Sequence, residues 1–100
     1  MKLVVTQQLT DLDGNPLPQE TKMRTIFVNA LLADYKDEQN VSGEQKLERY
    51  ELALRINAYD EVELKVEEAA LLKKLVAKAY TPLVVGQAWK LIETAGKSMQ

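Results

Sequence analysis

The chain of 100 residues contains no cysteine and no histidine. Without cysteine there is no disulfide, no thiolate nucleophile and no cysteine-based zinc site. Without histidine the chain lacks the commonest general base and the commonest transition-metal ligand. It has only two serines, Ser42 and Ser98, and neither has a lysine three residues later, as a Ser-x-x-Lys nucleophile needs. We therefore expect a protein that is not an enzyme, with no cofactor and no metal site.

An excess of one charge and long apolar runs are also missing. The sequence has 13 basic and 15 acidic residues, a net charge of −2, so no overall field attracts nucleic acid or anionic lipid. No segment approaches the roughly 18 consecutive apolar residues of a membrane span, and the N-terminus lacks the features of a signal peptide. We expect a cytoplasmic protein with no membrane contact and no strong tendency to bind nucleic acid.

Apolar residues make up 46% of the chain, which is enough for one core. A chain of this length forms one domain, here residues 1–100. The sequence predicts a mostly helical α+β fold, in which an N-terminal β-hairpin over residues 1–24 packs on about four helices within residues 25–96.

The predicted hairpin has a strand over Lys2–Leu12, in which apolar and β-branched residues alternate. The sequence Asp13-Gly14-Asn15-Pro16 is typical of a turn, because Gly and Asn tolerate positive φ and Pro cannot join a strand ladder. A returning strand over residues 20–24 then completes the hairpin.

The first predicted helix begins with Thr25 as its N-cap and runs to about Tyr35. Its only polar residue between 26 and 33 is Asn29, so we expect this helix to be central and buried on every side. An acidic loop follows, over residues 34–41.

Ser42-Gly43-Glu44-Gln45 predicts a capping box at the start of a helix that reaches about Ala58. This helix carries two apolar stripes on nearly opposite sides. One stripe comprises Leu47, Tyr50, Leu54 and Ala58, and the other comprises Leu52 and Ile56.

The charged segment 60–65 contains alternating Val62 and Leu64 and is predicted to be extended. A helix follows over Val66–Tyr80. Thr81-Pro82 predicts the start of the last helix, which is expected to end near Ala95 with Gly96 as its stop.

Asp11 and Asp13 form the one motif that suggests catalysis or metal binding. Asp-x-Asp-Gly after a strand resembles the signature of haloacid-dehalogenase-like phosphatases, and the same residues resemble the start of a calcium-binding EF-hand loop. The strand is too polar for the former family, and Pro16 and Lys22 occupy the Gly and Glu positions of the latter. We interpret the motif as a hairpin turn.

Excess apolar surface is the most informative feature. Leu52 and Ile56, together with an apolar arc on the last helix, offer more apolar faces than so small a domain easily buries. We predict a protein that acts through protein–protein interaction or assembly, either as a homo-oligomer, with a dimer favoured, or with another protein. Burial of these faces by the hairpin remains the other interpretation. The candidate interface residues are Leu52, Ile56, Val85, Trp89 and Ile92.

A small DNA-associated regulator is the alternative function. The helices Val66–Tyr80 and Pro82–Ala95 could form a pair similar to a helix-turn-helix, with phosphate contacts from Lys73, Lys74 and Lys78. The balanced charge argues against it, because DNA-binding domains are usually markedly basic.

The order of several short motifs resembles small uncharacterised proteins of tailed bacteriophages and prophages. The resemblance implies a small phage protein in the bacterial cytoplasm or in the virion, and it transfers no catalytic or binding residue. The motifs are Asp13-Gly14, Val28-Asn29-Ala30-Leu31-Leu32, Ser42-Gly43-Glu44, Tyr50-Glu51-Leu52-Ala53, Leu72-Lys73-Lys74-Leu75-Val76 and Val85-Gly86-Gln87-Ala88.

Overall fold

A computed structural model describes residues 1–18 and 21–97 of the chain. The described residues form a mostly helical α+β fold, as the sequence predicts. Its elements, in chain order, are β1 (Lys2–Val4), α1 (Met23–Leu32), α2 (Gly43–Ala58), β2 (Glu61–Glu63), α3 (Val66–Ala79) and α4 (Pro82–Lys97).

The sheet joins the N-terminus to the middle of the chain. β1 pairs antiparallel with β2, and Leu3 lies opposite Val62. Both of these side chains are buried, whereas their neighbours along each strand are exposed. The predicted extended segment over residues 60–65 is thereby confirmed, and its burial alternates as expected for a strand with one face on the core.

The predicted turn after the first strand is present. Gly14 has φ +88°, which a residue without a Cβ adopts at little cost. The Asp11 carboxylate accepts hydrogen bonds from the backbone N–H groups of Asp13 (2.9 Å) and Asn15 (3.0 Å). The Asp-x-Asp spacing therefore stabilises a turn, in agreement with the structural interpretation of the motif.

The antiparallel return after this turn is less regular than a hairpin of two full strands. The predicted returning strand over residues 20–24 is wrong at Met23 and Arg24, which belong to α1, and Glu20 lies outside the described residues. β1 takes its regular partner from the segment between α2 and α3 instead. The return consists of two isolated bridges, Gln8 with Lys22 and Thr10 with Pro16.

Helix α1 begins at Met23, two residues before the predicted cap at Thr25, and ends at Leu32 rather than Tyr35. The N-cap residue is Lys22, whose carbonyl accepts the backbone N–H groups of the first turn. Phe27 is fully buried, but Leu32 is 57% exposed. The expectation that the helix is buried on every side is therefore wrong, because Thr25, Asn29 and Leu32 form an exposed face along its length.

Helices α2, α3 and the start of α4 match the sequence closely. Pro82 is the first residue of α4, as the Thr-Pro pair predicts. The predicted stop at Gly96 is wrong, because α4 continues through it to Lys97. Gly96 has no positive φ, and the side chain of Met1 lies 3.8 Å from the position of an added Cβ. This glycine adjoins the N-terminal residue and does not end the helix.

Candidate interaction surface

Helix α2 turns its two apolar stripes in opposite directions. Leu52 is 2% exposed and Ile56 is fully buried, both within the core of this chain. α1 and α2 are the most extensively packed pair of elements. The prediction that Leu52 and Ile56 form an interface is therefore wrong, because helix packing within the chain already buries both residues.

The other stripe lies at the surface. Leu47 is 54% exposed, Tyr50 is 52% exposed and Leu54 is 49% exposed, and Ala58 is also exposed. The first three residues are spaced by three and four positions, so their side chains follow one line along the helix. We call Leu47, Tyr50, Leu54 and Ala58 the α2 apolar face.

A cleft borders this face on one side. It has a volume of about 350 Å³ and lies between the end of α1, the loop over residues 33–42 and the first half of α2. Tyr50 and the exposed Leu32 both line it. The α2 apolar face therefore continues across the cleft to the last turn of α1.

An acidic groove borders the face on the other side. The groove has a volume of about 430 Å³ and lies between α2 and α3. Glu48, Glu51 and Glu67 line it and form no ion pair within residues 1–18 and 21–97. Arg55 also lines the groove, but its guanidinium pairs with Glu68, with 2.7 Å between Nη1 and Oε2. Lys65 lines the groove as well, so its carboxylates outnumber its cations by four to two.

The charge beside the α2 apolar face is predominantly negative. Glu44 extends the acidic edge of α2 toward the N-terminus of the helix, and Asp34 lines the cleft. Both side chains are without a cationic partner in the described segments. On the opposite edge, Lys46 and Arg49 line the cleft, and Arg49 is paired with Glu38.

An ion-pair network fixes the loop that frames the cleft. Arg49 donates two hydrogen bonds of 2.8 Å to the two carboxylate oxygens of Glu38, and this pair is nearly buried. Lys78 of α3 lies 3.4 Å from Glu38 and 3.2 Å from Asp37. The hydrogen bonds from Arg49, aided by Lys78, lower the pKa of Glu38 from its ordinary 4.5 to about 2. The same bonds raise the pKa of Arg49.

Tyr35 adds a second attachment for this loop. Its hydroxyl donates to the carbonyl oxygen of Ala30 in α1, and the Lys78 ammonium lies 5.5 Å from the centre of its ring. Burial raises the pKa of the Tyr35 hydroxyl. The loop is thus attached to α1, α2 and α3, which gives the cleft a defined shape.

The candidate interface residues of α4 take part in packing within the chain. Ile92 is buried, and Val85 is partly buried against the core. Trp89 donates its indole N–H to the carbonyl oxygen of Lys73 at 3.0 Å, and the Lys73 ammonium lies 4.5 Å from the ring centre. These contacts join α4 to α3 and leave the α2 apolar face as the larger exposed apolar stripe.

Two of the lysines proposed for DNA contact are already engaged. Lys73 forms an ion pair of 3.1 Å with Glu93 in addition to its contact with Trp89. Lys78 pairs with Asp37 and Glu38 of the loop. The geometry therefore gives no specific support to the alternative of a DNA-associated regulator.

No group of three or more acidic, histidine or cysteine side chains suited to a metal ion occurs within residues 1–18 and 21–97. Among the same residues, no helix has the length and apolar character needed to cross a membrane. Comparison with known proteins gives no match to a protein-family model, to a curated protein or to a solved structure.

Proposed function

We propose that this protein is not an enzyme and acts by binding another protein through the α2 apolar face. The supporting observation is the line of Leu47, Tyr50 and Leu54, each about half exposed along one helix. Scattered apolar residues are normal on a protein surface, but a continuous line beside a shaped cleft is typical of a binding site.

The setting that we propose is a tailed bacteriophage or prophage, with the protein in the host cytoplasm or associated with the virion. The resemblance found in the sequence supports this setting. The predicted homo-oligomer loses part of its basis, because Leu52 and Ile56 are core residues. We therefore propose a different protein as the partner.

The experiment compares three forms of the protein as bait for cross-linking in prophage-carrying bacteria. The face variant carries Leu47→Glu and Leu54→Lys. The control variant carries Leu12→Glu and Val66→Lys, which alter two exposed apolar residues outside the α2 apolar face with the same net charge change. Circular dichroism first establishes that all three are equally folded.

We expect wild type and control to cross-link the same partner, and the face variant to lose it. Purified partner should then slow amide hydrogen exchange in α2 of the wild type. Equal capture by all three forms would contradict the proposal.

A further inference from the structure

We infer that the segment docking on the α2 apolar face is an amphipathic helix whose apolar stripe is flanked by lysine or arginine. This inference rests on the proposed function and specifies the chemistry of the partner. It is carried by the shape of the face and by the charges on its two borders.

The shape of the face favours a helical partner. Leu47, Tyr50 and Leu54 form a line one side chain wide, with the spacing of a coiled-coil seam. From Leu47 to Ala58 the line is roughly 16 Å long at the rise of an α-helix. A second helix with apolar residues at the same spacing can follow this line and contact each residue in turn.

The cleft offers a place for one large amphipathic side chain of that helix, because both apolar and charged residues line it. It opens beside Tyr50 and contains Leu32, so a side chain entering it would contact apolar groups from both α1 and α2. The Glu38–Arg49 pair holds the adjoining loop in place. Such a preformed pocket at the edge of a helical seam is suited to an anchoring residue.

The acidic groove favours cations on the partner. Glu48 and Glu51 lie on α2, and Glu67 lies across the groove on α3, where Lys65 offsets part of the negative charge. Lysine and arginine can lay their aliphatic stems along Leu47 and Leu54 while their charged ends reach these carboxylates. Positive charges that flank the apolar stripe of the partner would therefore lie beside the carboxylates of this groove.

A second copy of the chain fits these charges less well. In an antiparallel twofold pair of α2 helices, the acidic edge with Glu44, Glu48 and Glu51 would face the same edge of the other copy. In a parallel pair, Lys46 could meet Glu51 of the other copy, but Glu44 and Glu48 would have no counterpart on the helix. Like charges placed together oppose association, so we favour a different, basic chain.

The test uses two synthetic helical peptides labelled with a fluorophore. Both carry leucine at the seam positions, and the flanking positions are lysine in one and glutamate in the other. Fluorescence anisotropy measures their affinity for the full-length protein. We expect the lysine peptide to bind at least tenfold more tightly at low salt, and the difference to shrink as salt screens the charges.

Charge-reversal variants locate the effect. Glu48→Lys with Glu51→Lys should reverse the preference between the peptides. The matched control, Asp13→Lys with Glu61→Lys, makes the same change in net charge at two exposed positions outside the groove and should keep the preference. Leu54→Lys should weaken binding of both peptides.

Each contrary outcome has a distinct meaning. Equal affinity for the two peptides, with Leu54→Lys still weakening both, would overturn the basic partner and leave the proposed function intact. If Leu54→Lys left the affinity for both peptides unchanged, the docking surface itself would be overturned. Failure of both peptides to bind the wild type would overturn it as well. A wild-type dimer in light scattering that Leu54→Lys dissociates would replace the basic helix by a second copy.

Discussion

Two glycines illustrate how backbone conformation decides the role of a single residue. Gly14 has φ +88° in the turn after Asp11, a conformation that side-chain-bearing residues rarely adopt. Gly86 lies within α4, and an added Cβ there would have no neighbour within 4 Å. The first glycine is required by geometry, whereas the second only adds backbone freedom to the unfolded chain.

Gly86→Ala should therefore stabilise the protein. Alanine favours the helix interior over glycine by roughly 0.5–1 kcal/mol, and the space beside Gly86 is open. Urea denaturation followed by circular dichroism measures the gain in free energy of unfolding. Gly14→Ala is the control and should lower it, because its φ is strained for alanine. A loss of stability on Gly86→Ala would contradict the assignment.

The capping role of Ser42 can also be tested by substitution. Its hydroxyl accepts the backbone N–H of Gln45 at 3.1 Å, and the Gln45 side chain accepts the backbone N–H of Ser42 at 3.0 Å. Ser42→Ala should lower the free energy of unfolding by about 1 kcal/mol, because a helix N–H group loses its partner. Ser42→Asp should retain most of the stability. Equal loss in both variants, measured by urea denaturation, would exclude capping as the cause.

At the scale of the element, α2 packs on the core with one of its two apolar stripes. Leu52 and Ile56 contribute to the core shared with α1, and Leu47 and Leu54 point away from it. The sequence of α2 alone would allow either apolar stripe to face the core. The packing of the neighbouring helices determines which stripe is buried. The stripe left outside is the surface to which we assign the function.

Matched leucine truncations on α2 distinguish the two stripes. Leu52→Ala should lower the free energy of unfolding by roughly 2–5 kcal/mol, because it leaves a cavity in the core. Leu54→Ala should change it by less than about 0.5 kcal/mol, since half of that side chain already contacts water. Urea denaturation measures both. Comparable losses would mean that both apolar stripes of α2 are buried in solution, and a larger loss for Leu54→Ala would mean that α2 buries the opposite face from the one in the structure.

At the scale of the whole molecule, contacts distant in sequence close the fold. The Gln87 side chain of α4 accepts the backbone N–H of Thr10 at 3.0 Å and donates to its carbonyl oxygen at 2.8 Å. The backbone N–H of Leu64 likewise donates to the carbonyl oxygen of Met1 at 2.8 Å. The Glu38–Arg49–Lys78 network joins the loop over residues 33–42 to α2 and α3.

The network predicts an acid-sensitive stability. Because the pKa of Glu38 falls from 4.5 to about 2 on folding, its ionised form stabilises the folded state. This contribution is complete above the unfolded value of 4.5 and is lost as the pH falls through about 2. The free energy of unfolding should therefore decline between about pH 5 and pH 2.

The matched variant for this prediction is Glu38→Gln, which keeps the size of the side chain and removes its titration. Urea denaturation at several pH values should give a shallower decline for Glu38→Gln than for the wild type. The variant should also be less stable near neutral pH, where it leaves the nearly buried Arg49 without its anion. Parallel curves for the two proteins would show that another carboxylate causes the acid sensitivity.

The features that the sequence alone determines are those that depend on residues close together in the chain. The capping box at Ser42, the Pro82 start of α4 and the turn at Gly14 depend on residues within a few positions of one another. The mostly helical α+β class follows from the same local patterns. The bounds of α2 also follow, because caps and apolar periodicity act within one helix.

Tertiary packing decided which surfaces are exposed. The pairing of β1 with β2, in place of a regular hairpin, brings Leu3 and Val62 together across most of the chain. The orientation of α2 likewise depends on α1, α3 and the loop attached through Arg49. Hydropathy identifies both stripes of α2 as apolar but does not show which one is buried. Burial depends on which other elements pack against the helix. The candidate interaction surface therefore exists only once the helices have packed.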